Sequence, residues 1–196
     1  MIPRSLLVVA TALVLISGRA PAEESPLKQP LVAKLSLDRS SVSGGDHVDI
    51  SATIKNSSAE RITVYKKPRP YAIRHLSMSD EIGRSLKTQT LVRLALRPDT
   101  AEDFTELAPG EAITLTFPAT LREDSGYDMK QGVSYSRGLL LHFGTSTIMI
   151  PQKGRYEIRF QYGVSKTMRD GWAQLFGFQN LWAGEIAAEP VPLTIK

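Results

Sequence analysis

From Leu31 the chain reads as a succession of alternating segments. Leu31, Ala33, Leu35 and Leu37 lie between Val32, Lys34, Ser36 and Asp38, so an extended segment has one consistently apolar face. Ser43-Gly44-Gly45-Asp46 predicts a turn. After it, Val48, Ile50, Ala52 and Ile54 oppose His47, Asp49, Ser51, Thr53 and Lys55, the clearest half-buried strand in the sequence. Asn56-Ser57-Ser58-Ala59 turns the chain again, and Ile62 to Tyr65 begin a third strand. Pro68 and Pro70 interrupt pairing, so residues 66–71 read as a loop or a sheet edge. Short strands are expected at Ala72 to Met78 and Thr90 to Leu96, and Arg97 to Glu106 is acidic and polar. Pro109-Gly110 leads into Ile113, Leu115 and Phe117. Residues 121–136 show no sustained period and read as a long loop. Leu139 to Phe143 and Thr147 to Ile150 form a hairpin pair around Gly144. Tyr156, Ile158, Phe160 and Tyr162 predict a strong strand, and Val191, Leu193 and Ile195 a closing one.

One segment departs from period two. Trp172, Leu175 and Phe176 have helical spacing, which predicts a short helix from about Asp170 to Phe178. Short strands separated by turn residues, with a single helical segment, predict an all-β chain: an antiparallel, immunoglobulin-like β-sandwich with a helical, aromatic insertion before its last strand.

The first residues change the picture of the compartment. Arg4 precedes an apolar run from Leu6 to Ile16 broken only by Thr11, and Ala20-Pro21-Ala22 supplies small residues one position apart. That layout predicts a cleavable secretory signal, cut after Ala22. The apolar run is shorter than the roughly 20 residues a helix needs to cross a bilayer, so no transmembrane segment is expected after cleavage. The organisation read from the sequence is a signal peptide over 1–22, a flexible lead-in over 23–30 and one sandwich domain over 31–196. The protein is expected to be periplasmic or secreted. With no cysteine, the chain can be neither a lipoprotein nor a disulfide scaffold, and its stability must come from burial.

Charge then narrows the partners. The whole chain has 24 Lys+Arg against 20 Asp+Glu. Two of those cations, Arg4 and Arg19, lie in the expected signal, so the remainder is only weakly basic. No concentrated basic footprint suggests a nucleic-acid partner.

Several signals fall in one order: the strand ending in Asn56-Ser57, then Glu102-Asp103-Phe104, then Leu107-Ala108-Pro109-Gly110-Glu111. Tyr127-Asp128-Met129 and Gly154-Arg155-Tyr156-Glu157-Ile158-Arg159-Phe160 follow. This arrangement resembles the β-sandwich domain that precedes the catalytic domain in secreted deuterolysin-type, lysine-specific zinc metallopeptidases. It covers about residues 31–162 and the closing strand. The resemblance implies an immunoglobulin-like fold and, for a free-standing copy, engagement of a peptidase as inhibitor or folding partner. That family's zinc chemistry depends on a His-Glu-x-x-His helix. His47, His75 and His142 do not form such a motif, so no catalytic residue carries over and no cofactor is expected.

Two segments are candidates for binding. Tyr65, Lys66, Lys67, Arg69, Tyr71, Arg74 and His75 interleave cations with aromatic rings, a composition that can hold phosphates or sugar acids. The alternative is an exposed loop whose Lys and Pro protect a sheet edge. Trp172, Phe176 and Trp182, with Phe178, form either an exposed apolar binding patch or a lid folded over one end of the sandwich. The acidic run Glu123, Asp124, Ser125, Gly126 and Asp128 reads as a solvated loop, since its spacing does not fit a calcium loop. No Gly-x-Ser-x-Gly turn presents a nucleophile. Tyr156 resembles the corner tyrosine of immunoglobulin-like sandwiches, a structural role. The sequence thus points to an exported, non-catalytic binding module for a protein or cell-envelope ligand, with peptidase engagement as the alternative.

Overall fold

The structure, a computed structural model, describes residues 29–66, 76–90, 98–128, 133–144 and 146–196. In chain order the strands are β1 (Leu31–Leu37), β2 (Ser41–Val42), β3 (His47–Asn56), β4 (Ile62–Tyr65), β5 (Leu76–Asp80), β6 (Thr88–Thr90) and β7 (Phe104–Leu107). There follow β8 (Ala112–Asp128), β9 (Val133–Phe143), β10 (Ser146–Ile150) and β11 (Gly154–Val164). Helix α1 (Lys166–Phe176) precedes β12 (Gly184–Ala187) and β13 (Val191–Ile195).

One layer runs β1-β3-β8-β9-β10-β6, every neighbouring pair antiparallel. The other is built on β11, which pairs with β5 on one side and β13 on the other. The β5-β11-β13 succession matches the CFG sheet of an immunoglobulin sandwich, whereas in the first layer β8, beside β3, precedes β9, the reverse of the chain order in an ABED sheet. β2 joins the second layer as a parallel partner of β13. β12 and β13 together line the whole of β11, and their register slips by one residue across Ala188–Pro190. The fold is therefore all-β and sandwich-like, as the alternation predicts.

The period-two faces become the core. Val48, Ile50, Ala52 and Ile54 are buried, and the residues between them face outward or are half-covered. Tyr156, Ile158, Phe160 and Tyr162 meet them from the opposite layer. Burying one such aliphatic side chain contributes about 1.5–3 kcal/mol, enough to set which face of each strand turns inward. The Tyr156 hydroxyl donates to the main-chain oxygen of Gln152 at 2.6 Å, the corner bond expected of that residue.

The structure corrects several boundaries. Residues 121–136 are not a loop: β8 continues to Asp128 and pairs with β9 from Val133 onward. A register shift between Asp124 and Ser125 interrupts the period, which is why the pattern reads as irregular. Opposite it, Gly138 has a φ of 117°, and a Cβ there would lie 2.8 Å from the Ile150 oxygen. The acidic candidates Glu123 to Asp128 consequently lie along a paired strand.

The polar stretch before Leu107 contains the short helical turn Ala101–Asp103 and then β7. The strand expected at 72–78 is found at Leu76–Asp80, with 72–75 outside the described residues. Of the strand expected at 90–96, Thr90 ends β6 and the rest lies outside them. Helix α1 begins four residues earlier than its apolar spacing suggests, because Ser165 caps it by accepting the Met168 N–H at 3.2 Å. It ends before Phe178, at Gly177, whose φ of 76° suits glycine.

Candidate functional site

One end of the sandwich carries an aromatic corner. β4 and β7 form a two-stranded ribbon, and residues 180–182 lie against its β4 side. Thr63 N–H donates to the Asn180 oxygen at 3.0 Å, and Trp182 N–H donates to the Thr63 oxygen at 2.9 Å. The Thr63 hydroxyl adds a 2.7 Å bond to the Asn180 amide oxygen. Val64 and Leu107 bury one face of the ribbon in the core, while Tyr65 and Phe104 on the other are covered by α1.

Ring contacts fix the helix there. Trp172 stacks on Tyr65 with centroids 4.9 Å apart and planes 13° apart, and meets Phe104 edge-on at 5.1 Å. Trp182 stacks on Tyr162 at 5.3 Å. Such pairs add about 0.5–1.5 kcal/mol beyond the area they bury. The Asp99 carboxylate ties the cluster together, accepting from the Tyr65 hydroxyl at 2.9 Å and from Trp172 Nε1 at 3.2 Å. Tyr162 bonds both main-chain groups of Tyr65: its hydroxyl accepts from the N–H at 3.0 Å and donates to the oxygen at 2.9 Å. Burial pushes the Tyr162 pKa well above the ordinary tyrosine value.

Beside this cluster lies an open groove of about 470 Å³. Thr63, Ala101, Phe104, Thr105 and Glu106 form one wall, and Gly177, Phe178, Gln179 and Asn180 the other. Phe178 packs on Phe104 with centroids 4.8 Å apart, giving the groove an apolar floor. Glu106 is held from two directions. Arg61 donates to it at 2.8 Å and the Asn180 amide at 3.3 Å, and these bonds lower its pKa against the opposing effect of desolvation. The groove thus joins aromatic surface to a carboxylate and an amide whose orientations are already set.

The residues expected to bind separate into three groups. Trp172 and Trp182 are each only 9% exposed and serve as packing inside the corner. Phe176 is half-buried against Phe104 and Phe178, while Leu175 is 71% exposed. Lys66 is exposed, and its N–H donates to the Asp103 oxygen at 2.9 Å. Lys67, Arg69, Tyr71 and Arg74 lie outside the described residues. The groove's own residues, above all Phe104, Glu106, Phe178 and Asn180, come from segments 74 residues apart, and only Phe178 stands out by composition.

The histidines behave differently from a random scatter. Strand register places His47, Thr120, His142 and Thr147 in one row across β3, β8, β9 and β10. His47 Nδ1 bonds the Thr120 hydroxyl and His142 Nδ1 the Thr147 hydroxyl, each at 2.9 Å. Both rings lean the same way along the row, so they do not converge. Among the described residues no group of three or more His, Cys, Asp or Glu is arranged to hold a metal ion. His75 lies outside them. Nor is any described helix long and apolar enough to cross a membrane. No protein-family model matches the chain, and no curated protein matches it in sequence.

Proposed function

We propose that this chain is an exported, non-catalytic binding module that takes its ligand in the groove between β7 and residues 177–180. The observation that carries the reading is that groove's prepared state. Half-buried Phe178, seated on the buried Phe104 ring, offers apolar surface, and Glu106 and Asn180 are oriented by bonds within the protein. Groups held in place before binding lose little conformational freedom on association, which favours affinity. The export half of the reading rests on residues 1–22, with their Arg4, apolar run and small residues before the expected cleavage.

The test exploits the absence of cysteine. Gln179→Cys, labelled with an environment-sensitive dye, reports directly from the groove wall. Titration with soluble envelope proteins, and separately with cell-wall glycan fragments, is expected to give a saturable shift with one of them. Phe178→Ala should weaken that response. A response unchanged by Phe178→Ala, or none with either fraction, would count against the groove.

A second reading, engagement of a secreted metallopeptidase, draws support from residues 31–162 and from the Gly154-Arg155-Tyr156 entry to β11, where the corner bond of Tyr156 falls. It predicts that a purified lysine-specific metallopeptidase loses activity on addition of the protein.

A further inference from the structure

The groove runs along a strand edge. Thr63 directs its N–H and carbonyl to residues 180–182, away from β7. Main-chain groups alternate in direction along a strand, so Ile62 and Val64 face β7 instead. Their partners in the register are Leu107 and Thr105, whose main-chain groups therefore face back toward β4. The bond from Lys66 N–H to the Asp103 oxygen continues the same alternation. Phe104 and Glu106 are left pointing outward. The Phe104 N–H is used by the Ala101 oxygen. The Phe104 carbonyl and both main-chain groups of Glu106 have no hydrogen-bond partner among the described residues. β1, an edge of the larger layer, lies beside β12, whereas β7 opens onto the groove.

Native sheets commonly blunt such edges with lysine, proline or a bulge. Phe104-Thr105-Glu106-Leu107 has none of these. Its exposed charged residues are carboxylates: Glu106 is shared with Arg61, and Glu102 has no ion pair or hydrogen bond among the described residues. We infer that the β7 edge accepts an extended, basic segment of a partner protein, which adds as a strand beside Phe104–Leu107. This rests on the groove being the binding site and names the ligand's chemistry. Phe104 and Glu106 share one face, two positions apart, so the added strand should match them with the same spacing. It sets an apolar side chain against Phe178, beside Phe104, and a lysine or arginine two positions along, near the carboxylates. Main-chain bonds supply affinity and the two side chains supply selectivity.

The probe is a short synthetic peptide carrying leucine and lysine with one threonine between them. Saturable binding is expected, with the Glu106 amide becoming protected from hydrogen exchange. Methylating the peptide nitrogen that faces the Glu106 carbonyl should weaken binding about fivefold or more, the worth of one hydrogen bond. Glu106→Pro should weaken it similarly, and Glu106→Gln less, because Gln keeps the N–H. Circular dichroism confirms that both variants fold, and the methylated peptide tests the same bond on intact protein. If the peptide binds but neither methylation nor Glu106→Pro matters, strand addition is overturned while groove binding stands. If it does not bind, the basic-strand ligand is overturned, and the labelled Gln179→Cys titration alone judges the groove. Protection of Glu106 that grows with protein concentration alone, with dimers in sedimentation, would assign the edge to a second copy.

Discussion

The paired strands β3 and β8 and the aromatic corner are both well buried, yet they are assembled by different means. In β3 and β8 each inward residue is specified by its neighbours two positions away, and the hydrogen bonds form a continuous ladder from His47–Thr120 to Lys55–Ala112. The corner has no such ladder beyond its short ribbon. Its bonds join residues far apart in the chain: Tyr65 to Tyr162 over 97 positions, Thr63 to Asn180 over 117, and Asp99 to Trp172 over 73. A ladder tolerates the loss of one side chain because its other rungs persist. A corner held by a few long-range bonds and ring stacks should fail as a unit. The candidate binding groove is built on the second kind of region.

The largest expected effect tests that contrast directly. Trp172→Ala removes the ring between Tyr65 and Phe104 and should cost about 3–5 kcal/mol in denaturant unfolding. Hydrogen exchange should rise at β4 and β7 while β3 and β8 stay protected. Equal loss of protection in both regions would show one cooperative unit and dissolve the distinction.

Next comes a pair of glycines, one from each region. Gly138 sits at the β8–β9 bulge with its virtual Cβ 2.8 Å from the Ile150 oxygen. Gly184 has a φ of 149°, and its virtual Cβ lies 2.9 Å from Trp182 Cζ2. Alanine at either site should cost about 1–3 kcal/mol through strained backbone. Gly138→Ala should lower the melting temperature more, since a paired carbonyl cannot move aside as a ring can tilt.

Tyr162→Phe is expected to cost about 1–3 kcal/mol, because it strands two buried main-chain groups of Tyr65. The change also has a pH signature. Burial raises the folded-state pKa of Tyr162, so its contribution is complete below the ordinary value of 10.0 and is lost as pH climbs beyond it. Urea midpoints of the wild type should therefore fall in alkali more steeply than those of Tyr162→Phe.

The smallest effect concerns the groove's charge. Glu106 has its pKa lowered first by the bond from Arg61 and then by that from Asn180. Its stabilising contribution is present above the ordinary carboxylate value and is lost as pH falls through the depressed one. Arg61→Ala should lower the neutral-pH midpoint only slightly, as for an exposed pair, and make the midpoint fall less on acidification, because part of that contribution is already gone. A large neutral-pH loss would mean that this exposed pair supports the ribbon itself.

The regular strands were legible in the sequence because a strand with one buried face must alternate, and β1, β3 and β11 do so without interruption. The corner bond of Tyr156 was legible for a related reason, since donor and acceptor lie four positions apart. β7 was not, because in four residues Phe104 and Leu107 do not complete a period. The β8–β9 extension was missed because a bulge breaks its alternation. The start of α1 depended on the Ser165 cap, outside the apolar spacing used to find the helix.

Asn56 marks the boundary between the two kinds of information. By sequence it ends a strand and opens a turn. In the structure it is fully buried, its amide donating to the Glu60 and Leu107 oxygens at 2.7 and 2.9 Å, so that it ties β3 to the ribbon. Local pattern by itself determined the all-β class and the inward face of the regular strands, because transfer of apolar side chains from water acts on every second residue of a strand. Tertiary structure alone decided the aromatic corner, the open β7 edge and the groove. Each depends on which distant segments meet, and ring stacking and single hydrogen bonds leave no periodic trace along the chain.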